Sequence, residues 1–346
     1  MKTVNVCFIT DNNYTVPTAV AVQSLIEHRA KSTEYNIYIV AVNLDKDKIK
    51  TFTKLACCEC RIQVVTTANI YDNINTTHLY VSKAALLKFN LPNIFPKLNK
   101  VLYIDGDILV LDDLSDLFDT NINNKYAAAV ADILDVMDGH NTKLGLSNYF
   151  NSGVMLLNLK KMRDEKIPDK LIDYKINKDE GHFMDQDALN SVFDECIEYL
   201  PLKYNMLLAY KKVEHDKLAS FYNLSIQELN QTINKPVILH MAGYKSKPWD
   251  SDNVPGYELW YSYFDNMNDK IYNKFERFKK FFFQHKVYTN GRHQFLICGI
   301  KILSYKPRFA PGAEIKGNFV YTKEKCRNGR VHIYIFGIKI ISYVKK

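Results

Sequence analysis

Two carboxylates one residue apart close an apolar segment, Lys100-Val101-Leu102-Tyr103-Ile104-Asp105-Gly106-Asp107-Ile108-Leu109-Val110. A strand ending in Asp-x-Asp delivers two hard oxygen ligands to its own tip, where Mn²⁺ or Mg²⁺ can be held with positions left over for a diphosphate. The same pair also serves turns and helix caps, so the spacing alone is weak. His240 supplies a candidate third ligand at the end of the apolar run Val237-Ile238-Leu239, and imidazole is compatible with Mn²⁺. A His after a strand is more often structural; its combination with Asp105 and Asp107 is what raises it. Just downstream, Gly243 allows backbone to approach a phosphate, and Lys247 offers a positive charge to a departing diphosphate. Between these segments lies Met184-Asp185-Gln186-Asp187-Ala188-Leu189-Asn190. Asp185 and Gln186 at a helix start are either an acidic first turn favoured by the helix dipole or acceptors for sugar hydroxyls.

These side chains need a frame, and the order of apolar segments provides one. Val4–Thr10, Tyr35–Val42, Arg61–Thr66, Val101–Ile104, Tyr126–Ala131 and Val154–Leu159 read as strands. Helical spacing covers Tyr14–Ala30, with Ala19, Val22, Leu25 and Ile26 on one face, and also Lys46–Ala56 and Ser82–Phe89. Alternating strands and helices predict an α/β sandwich with a mostly parallel sheet, whose ligands sit beyond the carboxyl ends of the strands. Asp11 and the Asp105/Asp107 pair follow strands directly.

A chain of 346 residues with 47% hydrophobic and 24% charged residues can bury a sizeable core, which excludes a disordered or collagen-like class. No apolar stretch is long enough for a transmembrane helix, and the first ten residues read as a strand rather than a signal peptide. A cytoplasmic protein is the expectation. Cys57-Cys58-Glu59-Cys60 has no second pair to complete a closed zinc site, so the seven cysteines read as reduced thiols.

The net charge of +8 hides a division. Residues 268–346 carry 18 Lys+Arg against 4 Asp+Glu, while residues 1–267 carry 28 against 34. An acidic body, 1–267, is thus expected to bear a basic region, 268–346, that seeks an anionic surface. In that region Phe275, Phe278, Phe281, Phe282 and Phe283 interleave with Arg277, Lys279, Lys280 and Lys286, a helical pattern suited to a bilayer interface. It also holds a repeat: Asn290-Gly291-Arg292 with Ile297–Tyr305 returns 38 residues later as Asn328-Gly329-Arg330 with Ile335–Tyr343. Each copy reads as a turn feeding a β-rich apolar run. The bland alternative is that the aromatics pack on the body. Base-stacking or helix-in-groove motifs are not found, so nucleic acid is not the expected partner.

Taken together, Phe8-Ile9-Thr10-Asp11-Asn12-Asn13-Tyr14, Lys100–Asp107, Asn151–Leu159, Asp185–Asn190 and His240…Lys247-Pro248-Trp249 resemble glycosyltransferase family 8. The segments occur in family order over most of residues 1–255. The resemblance implies a GT-A fold and retaining transfer of a hexose, galactose or glucose, from a UDP-sugar, with Mn²⁺ as the usual metal and Mg²⁺ possible. It implies Asp105, Asp107 and His240 as metal ligands. Asp11, Asn13 and Tyr14 fall on the nucleoside site, with Tyr14 stacked on uracil, Gly243 and Lys247 on the diphosphate, and Ile9 and Gly106 among the nucleotide- and donor-binding residues. Asn151, Asp185 and Gln186 fall on the donor sugar, with Gln186 near the reacting carbon, and Asp132 lies close to acceptor and donor. Lys88 stands where the family usually has an Arg on the donor, and a Lys lacks the planar fork. The segment from His240 to Trp249 is one residue longer than the commonest form, which leaves Lys245 and Lys247 as alternatives for one place.

Gln186 is an amide and a poor nucleophile, so front-face attack is expected over double displacement through Asp185. The expected acceptor is a glycan or lipid-linked glycan, such as a lipopolysaccharide or lipooligosaccharide core, reached from the inner face of the cytoplasmic membrane through the basic region. The rival readings are a transferase acting on a protein or soluble glycan and a non-catalytic sugar-nucleotide binder.

Overall fold

The computed structural model describes residues 1–68, 71, 83–178, 185–243, 247–249 and 254–271, together with seven strands of the C-terminal region. The chain divides into two compact units, Met1–Ile271 and Tyr272–Lys346.

The first unit is built on strands β1 (Lys2–Thr10), β2 (Thr33–Val42), β3 (Cys60–Thr67), β4 (Lys100–Ile104), β5 (Ile108–Val110), β6 (Ala127–Ala131), β7 (Phe150–Asn158), β8 (Ile197–Tyr199), β9 (Met206–Leu207) and β10 (Ile238–His240). Seven of them form one sheet in the order β3-β2-β1-β4-β7-β6-β8. The pairs β2–β3, β1–β2, β1–β4 and β6–β8 are parallel, and β7 runs antiparallel to both neighbours. Strands buried on both faces read as unbroken apolar runs rather than alternations, and Ile104, Ala127–Val130 and Val154–Leu156 are fully buried. The crossover from β1 to β2 is the helix Thr15–Glu27, which buries Ala19, Val20, Ala21, Val22 and Leu25 completely. It begins and ends inside the expected 14–30 span.

Two local departures have physical causes. The expected helix over 82–89 is a 3-10 helix, Lys83–Asn90, stopped by the helix Leu91–Ile94 with its Pro92 at the second position. The strand expected at Val154 begins four residues earlier, because Asn151, Ser152 and Gly153 are small enough to continue the ladder across the site.

A second, three-stranded sheet, β5-β10-β9, stands beside the first. Its register pairs His240 with Ile108 and Leu239 with Leu109, which seats the end of β10 next to Asp107. This pairing is what closes the site.

The second unit contains β11 (Phe283–Val287), β12 (His293–Ile297), β13 (Ile300–Tyr305), β14 (Glu314–Gly317), β15 (Tyr321–Lys325), β16 (Arg330–Ile335) and β17 (Ile338–Val344), in sheets β11-β12-β13 and β14-β15-β16-β17. The 38-residue repeat is a repeat of pairing as well. Phe283↔Ile297 and Ile297↔Ile300 recur as Tyr321↔Ile335 and Ile335↔Ile338, and the register shift at Phe295/Leu296 recurs at Ile333/Tyr334. The expected apolar run of each copy therefore takes in the last residue of one strand and the antiparallel strand that follows it, β12 with β13 and β16 with β17. Phe283 and Lys286, expected in a helical pattern, lie on β11. The remainder of that pattern (Phe275, Arg277, Phe278, Lys279, Lys280, Phe281, Phe282) and both Asn-Gly pairs lie outside the described residues. Among the described residues, no helix is long and apolar enough to cross a membrane.

Candidate active site

The site assembles at the carboxyl end of β4, next to its antiparallel neighbour β7. The Asp105 N–H donates to Gly153 O (2.8 Å), and the Met241 N–H donates to Asp107 O (3.0 Å). With β5 and β10 paired, His240 Nε2 lies 3.3 Å from Asp107 Oδ1. Ligand atoms of Asp105, Asp107 and His240 all fall within 4.8 Å of one another. Packing here leaves no room for a β-carbon. One added at Gly153 would sit 2.3 Å from His240 Cε1, and one at Gly106 would sit 2.5 Å from Thr18 Oγ1.

A chain of buried amides orients the histidine. Asn151 Oδ1 accepts from the Gly153 N–H (3.1 Å) and from Asn205 Nδ2 (2.9 Å), so Asn151 Nδ2 points to Asp132 Oδ2 (3.1 Å). Asn205 Oδ1 is left as the acceptor for His240 Nδ1 at 2.9 Å. The network thus assigns the ring proton to Nδ1 and turns the Nε2 lone pair toward the two carboxylates, as metal-ligating histidines are held. A lone pair so placed, beside two carboxylates, makes a donor set that could take up a divalent cation. Two carboxylates and an imidazole so arranged fit a divalent ion of the Mn²⁺ type. Asn205→Ala, which frees the ring, is expected to weaken Mn²⁺ binding about 10- to 100-fold with the fold retained, checked by metal titration of the purified chain.

Two lysines neutralise the acidic cluster. Lys88 is only 3% exposed; its Nζ lies 2.7 Å from Asp185 Oδ2, 3.3 Å from Asp105 Oδ1 and 3.3 Å from Ser152 Oγ. Burial disfavours its charge, but Asp105 and Asp185 outweigh that and hold the ammonium above its ordinary pKa. Lys247 Nζ contacts Asp107 Oδ2 and donates to Met241 O (2.8 Å). Burial pushes the Asp107 carboxyl up, yet the Lys247 ammonium against its Oδ2 pulls it well below the usual carboxylate range. Asp105 goes the other way: burial raises it more than Lys88 lowers it, and Asp107 adds to the rise. The Tyr103 hydroxyl donates to Asp105 Oδ1.

The sugar-side candidates converge on Ser152. Its N–H donates to Gln186 Oε1 (2.8 Å) and its Oγ to Asp185 Oδ2 (2.9 Å). Gln186 opens the helix Gln186–Phe193, and Asp185 precedes it. Asp132 caps the helix Ile133–Met137 through the Leu134 N–H (3.2 Å) while Tyr210 OH donates to its Oδ1 (3.0 Å). On the other side, Ile9 is buried near the end of β1. Asp11 Oδ1 accepts from the N–H groups of Asn13 (2.8 Å) and Tyr14 (3.0 Å), fixing the entry to the helix Thr15–Glu27. The Tyr14 ring meets Trp249 edge-on, centroids 5.8 Å apart. Gly243 takes a φ of +103°, a conformation that suits glycine. Lys245 lies outside the described residues.

Sequence reasoning passed over Asn205, which lies between a 3-10 turn and β9 with no periodicity to mark it. Ser152 was in view inside Asn151–Leu159 but had no evident partner.

A family model, glycosyl transferase family 8, matches residues 5–253. The chain belongs to that family. It is 28% identical over 268 residues to a lipopolysaccharide 1,2-glucosyltransferase of Escherichia coli, covering 72% of this chain and 74% of the relative. General stress protein A of Bacillus subtilis is 27% identical over 271 residues, covering 73% and 90%. Among solved structures, the galactosyltransferase LgtC in complex with donor and acceptor sugar analogs aligns with a TM-score of 0.66 at 22% identity, over 79% of this chain and 99% of that one. The likeness establishes the GT-A fold. With glucosyl- and galactosyltransferases among its relatives, this family member is a hexosyltransferase.

Proposed function

We propose that the protein is a retaining, metal-dependent transferase that moves galactose or glucose from a UDP-sugar to a glycan acceptor, in the setting of a lipopolysaccharide or lipooligosaccharide core. The convergence of Asp105, Asp107 and the Asn205-oriented His240 beside Lys247 carries this reading. A divalent ion held by the three residues would neutralise charge that develops on the diphosphate as the C1–O bond breaks. Lys247 sits against the same carboxylate and is within reach of the same charge, whereas Tyr14 and Trp249 offer an aromatic surface to the base. Lys88, Asp185, Ser152, Asn151 and Gln186 would bind the sugar hydroxyls.

Two observations favour front-face attack over a covalent intermediate. Gln186 is an amide with Oε1 already accepting from Ser152. Asp185 Oδ2 is tied to both Lys88 and Ser152, which lowers its nucleophilicity. The acceptor hydroxyl then enters beside the leaving group, and a phosphate oxygen of the departing UDP takes its proton.

The basic C-terminal unit would hold the enzyme on an anionic membrane, where a lipid-linked glycan is presented. The test is UDP release from a panel of UDP-sugars with Mn²⁺, run alongside sedimentation with anionic and neutral vesicles. Release from one UDP-hexose, abolished by chelator, is expected, with salt-sensitive pelleting on anionic vesicles alone. Neither release from nor binding to any UDP-sugar would overturn the transferase reading; equal pelleting with both vesicle types would overturn the electrostatic anchor.

A further inference from the structure

Gln186 is held at both ends of its amide. Oε1 accepts from the Ser152 N–H at 2.8 Å, and Nε2 donates to Asp135 Oδ2 at 3.1 Å. An amide of this kind has two nearly isosteric orientations, and its neighbours decide which one is adopted. Ser152 can only donate, so it asks for the oxygen. An ionised Asp135 can only accept, so it asks for the nitrogen, and the two demands agree. A protonated Asp135 is itself a donor and no longer enforces the choice. We propose that Asp135 is a positioning residue for Gln186: its carboxylate locks the amide from the side opposite Ser152, so that transfer follows the charge on Asp135. The inference rests on the reading of Gln186 as a residue of the donor-sugar site.

The surroundings of Asp135 bring its titration into the working range. It is half-buried in the first turn of the helix Ile133–Met137. Asp132 flanks it at the helix cap, Asp138 lies beyond the last turn, Asp187 comes from the helix Gln186–Phe193, and His140 opens the next helix. Burial, then the three carboxylates, push the Asp135 carboxyl up to about 7, with His140 as the opposing influence. Tyr149, which donates to Asp187 and accepts from the Gln186 amide, completes the group. The sign follows: below about 7 Asp135 holds its proton and the lock loosens; above it the carboxylate is charged and the lock is tight. Transfer therefore rises with pH through that region. The proposed metal ligands are not members of the Asp135–Gln186–Ser152 N–H chain; Asp105 meets it through Lys88 on Ser152 Oγ.

The experiment is the rate of UDP release from UDP-galactose and UDP-glucose by the full chain with Mn²⁺, between roughly pH 6 and 8.5. Wild type, Asp135→Asn and Gln186→Ala are compared, with the UDP dissociation constant measured for each. Asn is isosteric and can still accept weakly from Gln186. Asp135→Asn is expected to lose the rise near neutral pH, to run roughly tenfold slower than wild type at the alkaline end, and to bind UDP unchanged. An Asp135→Asn enzyme that keeps the rise or the full alkaline rate overturns the proposal. So does one that no longer binds UDP, since a positioning role leaves the nucleotide site intact. Gln186→Ala separates the two levels. If it too runs at the wild-type rate, the reading of Gln186 has failed; if it is slow while Asp135→Asn is unimpaired, only the role of Asp135 has failed.

Discussion

Asp107→Asn is expected to lower Mn²⁺-dependent UDP release by about a thousandfold, ~4 kcal/mol of transition-state stabilisation. The size follows from how much converges on one carboxylate. Oδ1 faces His240 Nε2 and Oδ2 meets Lys247, and burial is outweighed so far that the group is charged at any working pH. Asn keeps the shape and the backbone bond from Met241 but removes the charge. It therefore deletes a proposed metal ligand and leaves the part-buried Lys247 ammonium facing a neutral amide. Stability changes in the same direction. A carboxyl held below its ordinary value of ~3.9 stabilises the fold above that pH and loses its contribution as pH falls through the folded value. At neutral pH the wild type has this contribution in full and the variant lacks it. Steady-state UDP release with and without Mn²⁺ is the check; activity within tenfold of wild type would show that Asp107 is not a ligand.

The second large effect concerns folding. Lys88→Met should destabilise the first unit by about 3–5 kcal/mol, because it strands two carboxylates around a buried centre. Lys88 and Asp185 are almost wholly enclosed, so solvent does little to screen the loss. For a unit of this size the melting temperature should fall by about 10 °C. Mn²⁺ should restore part of it, since an ion on Asp105 compensates one of the two charges. Thermal melts of both proteins, with and without Mn²⁺, decide this. A fall under about 2 °C, roughly 1 kcal/mol, would mean that the carboxylates tolerate losing their counter-ion.

The frame was legible because buried parallel strands announce themselves as apolar runs. β1, β2 and β4 were found within a few residues of their bounds, and the position of Asp-x-Asp after β4 followed. What one chain of residues could not show was the pairing of β5 with β10. That single register brings His240 to Asp107 across more than a hundred residues; Val237–Leu239 reads as a strand, but an apolar run does not say which strand it pairs with. Asn205 was invisible for a related reason: an amide acquires meaning only from what it touches, here Asn151 on one side and His240 on the other. Lys88 was legible only as a departure from the Arg usual at its place; its bridge between Asp105 and Asp185 depends on the 3-10 geometry of Lys83–Asn90. Asp135 gave no sequence signal at all, standing as an ordinary first-turn acid. In the basic region the 38-residue period was plain, but Ile297–Tyr305 read only as a β-rich apolar run. Continuous hydrophobicity does not reveal that Ile297 pairs with Ile300 and the chain folds back between them.

The most direct test is a Mn²⁺ titration of the full chain by electron paramagnetic resonance, in the presence and absence of UDP. Wild type should bind one ion per chain, bind it more tightly once UDP is present, and bind UDP weakly when the metal is chelated; Asp107→Asn should do none of the first two. UDP binding of equal strength with chelator, or an unchanged Mn²⁺ site in Asp107→Asn, would contradict a metal–diphosphate centre on Asp105, Asp107 and His240.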